Sequence, residues 1–349
     1  MKLENNIKNY DWIDSLRVLA TFSVIFLHAA SGILNQYKTV SNFDWWIGNI
    51  YDSAVRFCVP IFLMITGTVI LTKTYESTRE YLRKRVFRIV LPFLFWSVIY
   101  IAKSLFLKFH QGEFLDFITV LKFICFEMKN GAANHLWFIY MIIGLYLFFP
   151  IIGKWLRQTN KKEIEYFIGI WLLTIVCQLP FINKLTPNID LTYFSGYIGF
   201  PILGYYLSTY TFDFKEKKAV YVLLIFTGIL ITIFGTFFIT KHNDRFTDVF
   251  YEYLTPNVIL VAVGVFLLFK DFVKLGTKMT NIVNFLNKYS YGIFLVHILV
   301  LNVLKSIGIS SAFVNPIIGV PVTSVLCFII STSIIFGINK LPFGKYISG

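Results

Sequence analysis

Apolar runs of about 20 residues, the length of helix that crosses a hydrocarbon core, recur along the whole chain. They fall near residues 12–34, 48–71, 87–107, 135–153, 164–182, 193–211, 219–239, 255–269, 289–306 and 316–338. A soluble core does not account for them: 56% of the 349 residues are hydrophobic and 15% are charged, against roughly 25% charged in ordinary soluble domains. The pattern predicts an all-α polytopic membrane protein of about ten transmembrane helices. The segment 114–128, "FLDFITVLKFICFEM", is apolar but carries Asp116, Lys122 and Glu127. It reads as an interfacial or re-entrant piece.

The formal net charge of +13 would suggest nucleic acid in a soluble protein, but here it has a nearer source and no nucleic-acid partner is expected. Of the 32 Lys and Arg, 21 fall in loops on one side of the membrane and nine on the other, while Arg17 and Arg56 lie within spans. The positive-inside rule then places both termini and the 72–88 loop in the cytoplasm. Cys58, Cys125, Cys177 and Cys327 stand far apart in or beside apolar runs, without CxxC or zinc spacing. They are expected to be buried as small apolar residues, with no metal. With no signal-peptide cleavage site, the first helix is expected to act as its own insertion signal. No repeat, low-complexity tract or long linker divides the chain, so residues 1–349 read as a single membrane-embedded domain.

The first run, "IDSLRVLATFSVIFLHAAS", retains Asp14, Arg17 and His28. Ionisable groups inside spans cost about 2.5–3.5 kcal/mol each on insertion scales and face a cavity or a partner. Arg17 and His28 are 11 residues apart, which at 100° per residue is about 20° past three full turns, with a rise of roughly 16.5 Å. The two side chains therefore share a face and predict a polar route along the helix. The i, i+3 spacing of Asp14 and Arg17 permits an ion pair, and the two also suit snorkelling at the interface. His28 lies deeper. Imidazole accepts and donates protons near neutrality, so His28 suits proton transfer as well as a structural hydrogen bond.

The second run, "YDSAVRFCVPIFLMITG", sets Asp52 and Arg56 at i, i+4 with Pro60 one turn later. The pair can neutralise itself in a bundle interior. Pro60 predicts a kink and a freed carbonyl, tolerated where a cavity is lined, and Gly67 permits close backbone approach. The basic stretch "RKRVFRIVLP" supplies Arg83, Lys84, Arg85 and Arg88. It serves as positive-inside charge, as an anionic-lipid contact, or as a clamp on phosphates through guanidinium forks. "NHLWFIYMIIGLYLFFP" brings His135 and Trp137, and "YSYGIFLVH" places His297 mid-span with Ser290 seven residues earlier. For each histidine, structural and functional roles both fit.

In that order, the helix with Arg-x10-His, "SAVRFCVPIFLMITG", "RKRVFRI", "HLWFIYMIIGLYLFFP" and "YSYGIFLVH" resemble the membrane-bound acyltransferase-3 family of bacterial surface-glycan O-acyltransferases. The resemblance covers nearly the whole length. It implies transfer of an acyl group, commonly acetyl, from cytoplasmic acyl-CoA to a sugar hydroxyl. The acceptor is a surface glycan or lipid-linked sugar, and the setting is the bacterial cytoplasmic membrane. Acetyl-CoA enters as co-substrate, with no metal. By position, Arg17 and His28 match the family's essential first-helix pair. Arg83 and Arg85 match its Arg-x-Arg motif, which the family uses toward CoA phosphates, and Arg17 is expected to reach the same groups. Arg56, His135 and Trp137 match further motif positions, and Asp52 and His297 join them as supporting or acceptor-side residues. Thr66-Gly67-Thr68 departs from the family's Ser-Gly-Phe-like step. The SGNH-type domain fused to some members is absent. The pattern sets no oligomeric state. An exporter or flippase of a glycan or small acid, with Asp52–Arg56 as a gate, and a binding-only sensor are the competing classes.

Overall fold

The computed structural model describes residues 11–75, 77–113, 116–186, 194 and 196–349. Among them the chain is helical throughout, without a β-strand. In chain order the helices are α1 (Asp11–Leu34), α2 (Asn42–Val55), α3 (Cys58–Ile70), α4 (Thr78–His110), α5 (Phe117–Asn130) and α6 (Trp137–Gln158). They continue with α7 (Lys161–Cys177), α8 (Gly199–Thr209), α9 (Lys217–Asn243), α10 (Pro256–Phe272), α11 (Thr277–Ser306) and α12 (Pro316–Asn339). Eight segments are long and apolar enough to cross a membrane: α1, α2 with α3, α4, α6 with the turn before it (Asn134–Gln158), α9, α10 with the stretch that leads into it (Val249–Phe272), α11 and α12. The protein is an all-α, multi-pass membrane protein. On α9, Leu223, Phe226, Leu230, Phe234 and Phe238 are exposed, an apolar surface suited to lipid.

Two of the ten runs expected to span do not reach that length. Helix α7 has 17 residues, about 26 Å at 1.5 Å per residue. It stops two residues before Leu179, whose backbone Pro180 biases away from the helical region. Helix α8 has 11 residues and packs against α3. Residues 193 and 195 of that predicted run lie outside the described residues, as do 114 and 115 of the interfacial segment. The rest of that segment forms α5, in which no residue is buried. The expectation of four buried cysteines is also corrected: Cys58 and Cys327 are buried, Cys177 is partly exposed and Cys125 is exposed on α5. Helix α4 starts at Thr78, so the predicted 72–88 loop is mostly helix.

Helix α1 packs on α2, α3, α11 and α12. Arg17 and Gly349 line one cavity, so the Arg17 end of α1 and the C-terminal residue lie at the same end of the bundle. Between α2 and α3 the helix breaks at Arg56 and Phe57, one turn before Pro60. Proline has no N–H to return to the Arg56 carbonyl, and the ladder resumes with the Ile61 N–H donating to Phe57 O at 3.0 Å. The predicted kink is therefore a full break, and it places Arg56 at a helix end.

Helices α3 and α8 touch through backbone. A Cβ on Gly67 would stand 1.9 Å from Pro201 O, and Thr68 Oγ1 donates to Gly204 O at 3.1 Å. Gly67→Leu therefore forces the two helices apart and is expected to destabilise the detergent-solubilised protein by about 3 kcal/mol, the upper range for overpacking. On α6, Gly144 has nothing within 4 Å of its would-be Cβ. Gly144→Ala is expected to leave stability unchanged or raise it by up to about 1 kcal/mol. Thermal or denaturant unfolding of both variants checks the contrast.

Candidate functional site

The Arg17 end of the bundle holds a cavity of 330 Å³. Among the described residues four cationic side chains line it, Arg17 from α1, Arg85 and Arg88 from α4, and Lys288 from α11, with Gly349 beside them and no Asp or Glu side chain. Arg85 and Arg88 share a helix face at i, i+3. Arg83 is exposed and does not line the cavity. Arg17 is oriented from behind: Nη1 lies 3.4 Å from Asp14 Oδ1 and donates to Asn287 Oδ1 at 2.7 Å. Asn287 Nδ2 in turn donates to Asp14 Oδ1 at 2.8 Å. Tyr291 Oη donates to Ile89 O at 2.8 Å and ties α11 to α4. Arg17 is paired with Asp14, but Arg85 and Arg88 have no ion-pair partner among the described residues, and clustered guanidinium groups of this kind suit an anion, phosphate above all.

The inner end of this cavity is aromatic, lined by Phe62, Phe138 and Phe294. Phe62 and Phe138 have ring centroids 6.0 Å apart, and Phe138 and Phe294 5.5 Å. Phe294 also touches the next layer, 5.3 Å from the His135 ring and 5.8 Å from His297. There three histidines from three helical segments meet. The His28 ring is 5.2 Å from His297 and 6.4 Å from His135, and His135 is 4.9 Å from His297.

His135 and His297 are buried. His297 Nδ1 lies 2.6 Å from Phe294 O. A carbonyl only accepts, so Nδ1 carries the hydrogen and Nε2 presents a lone pair. Among the described residues that Nε2 has no partner, nor does either ring nitrogen of His135. Buried polar atoms are nearly always bonded, so three unpaired imidazole nitrogens in one place are a site for something that bonds. Tyr100 packs 5.4 Å from His135 and donates to Leu295 O at 2.9 Å.

The His28 end opens differently. His28 lines a cavity of 310 Å³ between α1, α11 and α12. Across α1, a second cavity of 220 Å³ is lined by Ser31, Asn35, Asp52, Arg56, Asp248 and Glu252. Asp52 and Arg56 form a two-point ion pair, Nη2 donating to Oδ2 at 2.8 Å and Nε 2.5 Å from Oδ1. Asp52 is wholly buried. Arg56 also lies 4.3 Å over the Tyr251 ring and donates to Tyr251 O at 3.3 Å. Trp137 stacks on Tyr253 at 6.0 Å and approaches Tyr197 at 5.7 Å.

The structure thus brings His28, His135 and His297 together, sets Asp52, Arg56 and Trp137 beside the second cavity, and places Arg17 and Arg85 in the cationic one. The open polar route expected along α1 is interrupted: the cationic cavity and the His28 cavity share no lining residue, and the phenylalanine layer stands at the inner end of the first. Sequence reasoning missed Asn287, Tyr251, Lys288 and that layer. Asn287 carried a weak signal, the third of the amides Asn281, Asn284 and Asn287 that recur every three residues ahead of an apolar run.

Fold and site together define a multi-pass membrane protein with an anion-binding cavity at one end and a histidine cluster deeper in the bundle. A family model described as an acyltransferase domain matches residues 10–336, and the chain belongs to that acyltransferase-3 family. Membership makes it an acyltransferase. No curated protein and no solved structure matches the chain.

Removing one member of a buried ion pair leaves the other uncompensated, at about 3–5 kcal/mol. Asp52→Ala is expected to lower stability by roughly 3 kcal/mol. Adding Arg56→Met is expected to recover at least half of that loss. A double-mutant unfolding cycle in detergent measures the coupling.

Proposed function

We propose that the protein transfers an acetyl group from cytoplasmic acetyl-CoA to a hydroxyl of a cell-surface or lipid-linked glycan, in the bacterial cytoplasmic membrane. One observation carries the reading: a cluster of three histidines, two of them with unpaired ring nitrogens among the described residues, stands between a cationic cavity at one end of the bundle and a separate polar cavity at the other. The excess of Lys and Arg on the Arg17 side supports a cytoplasmic position for that end and for both termini. The whole chain then acts as one membrane-embedded domain. Within the family the motif set resembles that of the stand-alone O-acetyltransferase of enterobacterial common antigen. That likeness supports acetyl as the acyl group.

In this mechanism Arg85, Arg88 and Arg17 hold the CoA phosphates and the polar groups that follow them. The roughly 16 Å from Arg17 to His28 is comparable with an extended pantetheine arm, so the thioester reaches the histidines once the phenylalanine layer admits it. His28 takes the proton of the acceptor hydroxyl as its oxygen bonds to the thioester carbonyl. The C–S bond then breaks, and the CoA thiolate leaves and is protonated. His297, with Nε2 bare, stands one ring away to take up or return that proton. An acyl-histidine intermediate on His28 uses the same atoms in two steps. Arg56 and His135 are the candidates to stabilise the oxyanion. Asp52 and Trp137 fix Arg56 and the wall of the second cavity.

Release of free CoA by the purified protein in nanodiscs, with a panel of soluble and lipid-linked sugars, tests the reading. His28→Ala is expected to lower acceptor-dependent turnover at least about 100-fold, the contribution of a positioned general base, while acetyl-CoA still binds. Arg85→Ala and Arg88→Ala are each expected to weaken acetyl-CoA binding about tenfold, the worth of one charged hydrogen bond. Arg83→Ala is expected to stay near wild type. A wild type that binds no acetyl-CoA overturns the proposal in favour of transport.

A further inference from the structure

Helix α12 carries a hydroxyl that breaks its own rule. Ser324, Thr332 and Ser333 each donate to the carbonyl four residues back, at 2.7, 2.7 and 2.9 Å. Such back-bonding is the usual resting place of a helical hydroxyl. Thr323 is 3% exposed and its Oγ1 has no partner among the described residues. It lines the same cavity as His28. A buried unpaired hydroxyl facing a cavity is a hydrogen-bonding group kept for an occupant.

The walls indicate what that occupant is. Asn302 and Gln36 supply amides, Ile298 and Leu301 an apolar floor, and among the described residues Lys305 is the only Lys, Arg, Asp or Glu lining the space. Lys305 is exposed and makes no ion pair among the described residues. The loop ahead of α12 closes the cavity. A Cβ on Gly319 would stand 2.5 Å from Ser311 O and 2.7 Å from Ser310 O, so the loop backbone rests directly on the helix. At 310 Å³ the cavity is at the small end of small-molecule sites, which run from about 300 to 1,000 Å³. It has room for a single sugar ring.

We propose that this cavity is the acceptor subsite and selects an anionic sugar, with Thr323 bonding a ring hydroxyl beside His28 and Lys305 pairing with the acid group at the mouth. The occupant's role as acceptor rests on the acyl-transfer reading; its binding does not. Thr323 is a positioning residue. It brings the hydroxyl to His28 and takes no part in the transfer.

Binding of methyl β-glucuronide and methyl β-glucoside to the purified protein in phosphatidylcholine nanodiscs, followed by saturation-transfer NMR, tests this directly. The glucuronide is expected to bind about fivefold more tightly, a preference that fades at high salt because an exposed charge carries it. Lys305→Gln is expected to reduce the glucuronide to the glucoside's affinity. Thr323→Val is expected to weaken both about tenfold, and Thr323→Ser, which keeps the hydroxyl, to bind like wild type. Equal binding of the two sugars by the wild type, binding of neither, or an inert Thr323→Val overturns the proposal. Loss of glucuronide binding in nanodiscs containing phosphatidylglycerol also overturns it, by assigning the cavity to a lipid headgroup. Acetyl-CoA binding to the same samples separates the two readings. Its absence alongside intact glucuronide binding removes the acyl transfer and leaves the site.

Discussion

The register of α11 against α1 decides where the chemistry meets. At one end it is set by a three-residue lock in which Asn287 accepts from Arg17 and donates to Asp14. From there the two helices run the same way, and each carries a histidine about three turns on. His28 is 11 residues beyond Arg17, and His297 is ten beyond Asn287. At 1.5 Å per residue the axial offsets agree to about 1.5 Å, and the rings end 5.2 Å apart. A slip of one helical turn, about 5.4 Å, would separate them and bury an arginine without its partners. The lock therefore serves two purposes: it neutralises Arg17 in a setting where an uncompensated charge is costly, and it aligns the histidines.

His135 reaches the same point by another route. It sits in the tight turn Asn134–Leu136 that opens α6, where Leu136 N–H donates to Ala133 O at 2.9 Å. A turn ahead of a helix lets a side chain enter the bundle from the end, without being bound to a lateral face. Tyr100 and Phe294 flank the ring and hold it against His297. Helix register thus places two of the histidines, and a turn seated on aromatic walls places the third.

Much of this was legible in the sequence, for definite physical reasons. The shared face of Arg17 and His28 follows from helical period alone. So does the Asp52–Arg56 pair at i, i+4, and Pro60 announced the break that leaves Arg56 at a helix end. Gly67 was read as a close approach, and the carbonyl of Pro201 fills that space. Features that depend on where a helix begins were less visible. With the basic stretch taken as a loop, Arg83 and Arg85 looked equivalent. Because α4 begins at Thr78, residues two apart point some 200° from each other, and Arg88 is the one that joins Arg85. The phenylalanine layer was hidden by abundance. The chain has 38 Phe, and nothing in the sequence separates the three that line the cationic cavity from those that face lipid. Asn287 and Thr323 each have polar neighbours in sequence, Lys288 and Ser324, and what sets them apart comes from the partner that one has and the other lacks among the described residues.

That layer also bears on how the proposed reaction avoids its commonest failure. A thioester exposed to water beside a general base hydrolyses, and the acyl group is lost. Here the cationic cavity and the His28 cavity share no lining residue, and Phe62, Phe138 and Phe294 stand at the inner end of the first. Offset and edge-on ring contacts are worth only about 0.5–1.5 kcal/mol each beyond their buried area. Under the proposed mechanism, rotating a ring aside is within reach of the binding energy that CoA phosphates would gain on Arg17, Arg85 and Arg88. The thioester would then meet the histidines only when the donor is seated, while an acceptor on the far side would keep water from His28. Spending remote binding energy to open the reacting centre is how an enzyme couples recognition to catalysis, and under that proposal the coupling element in this bundle is three phenylalanine rings.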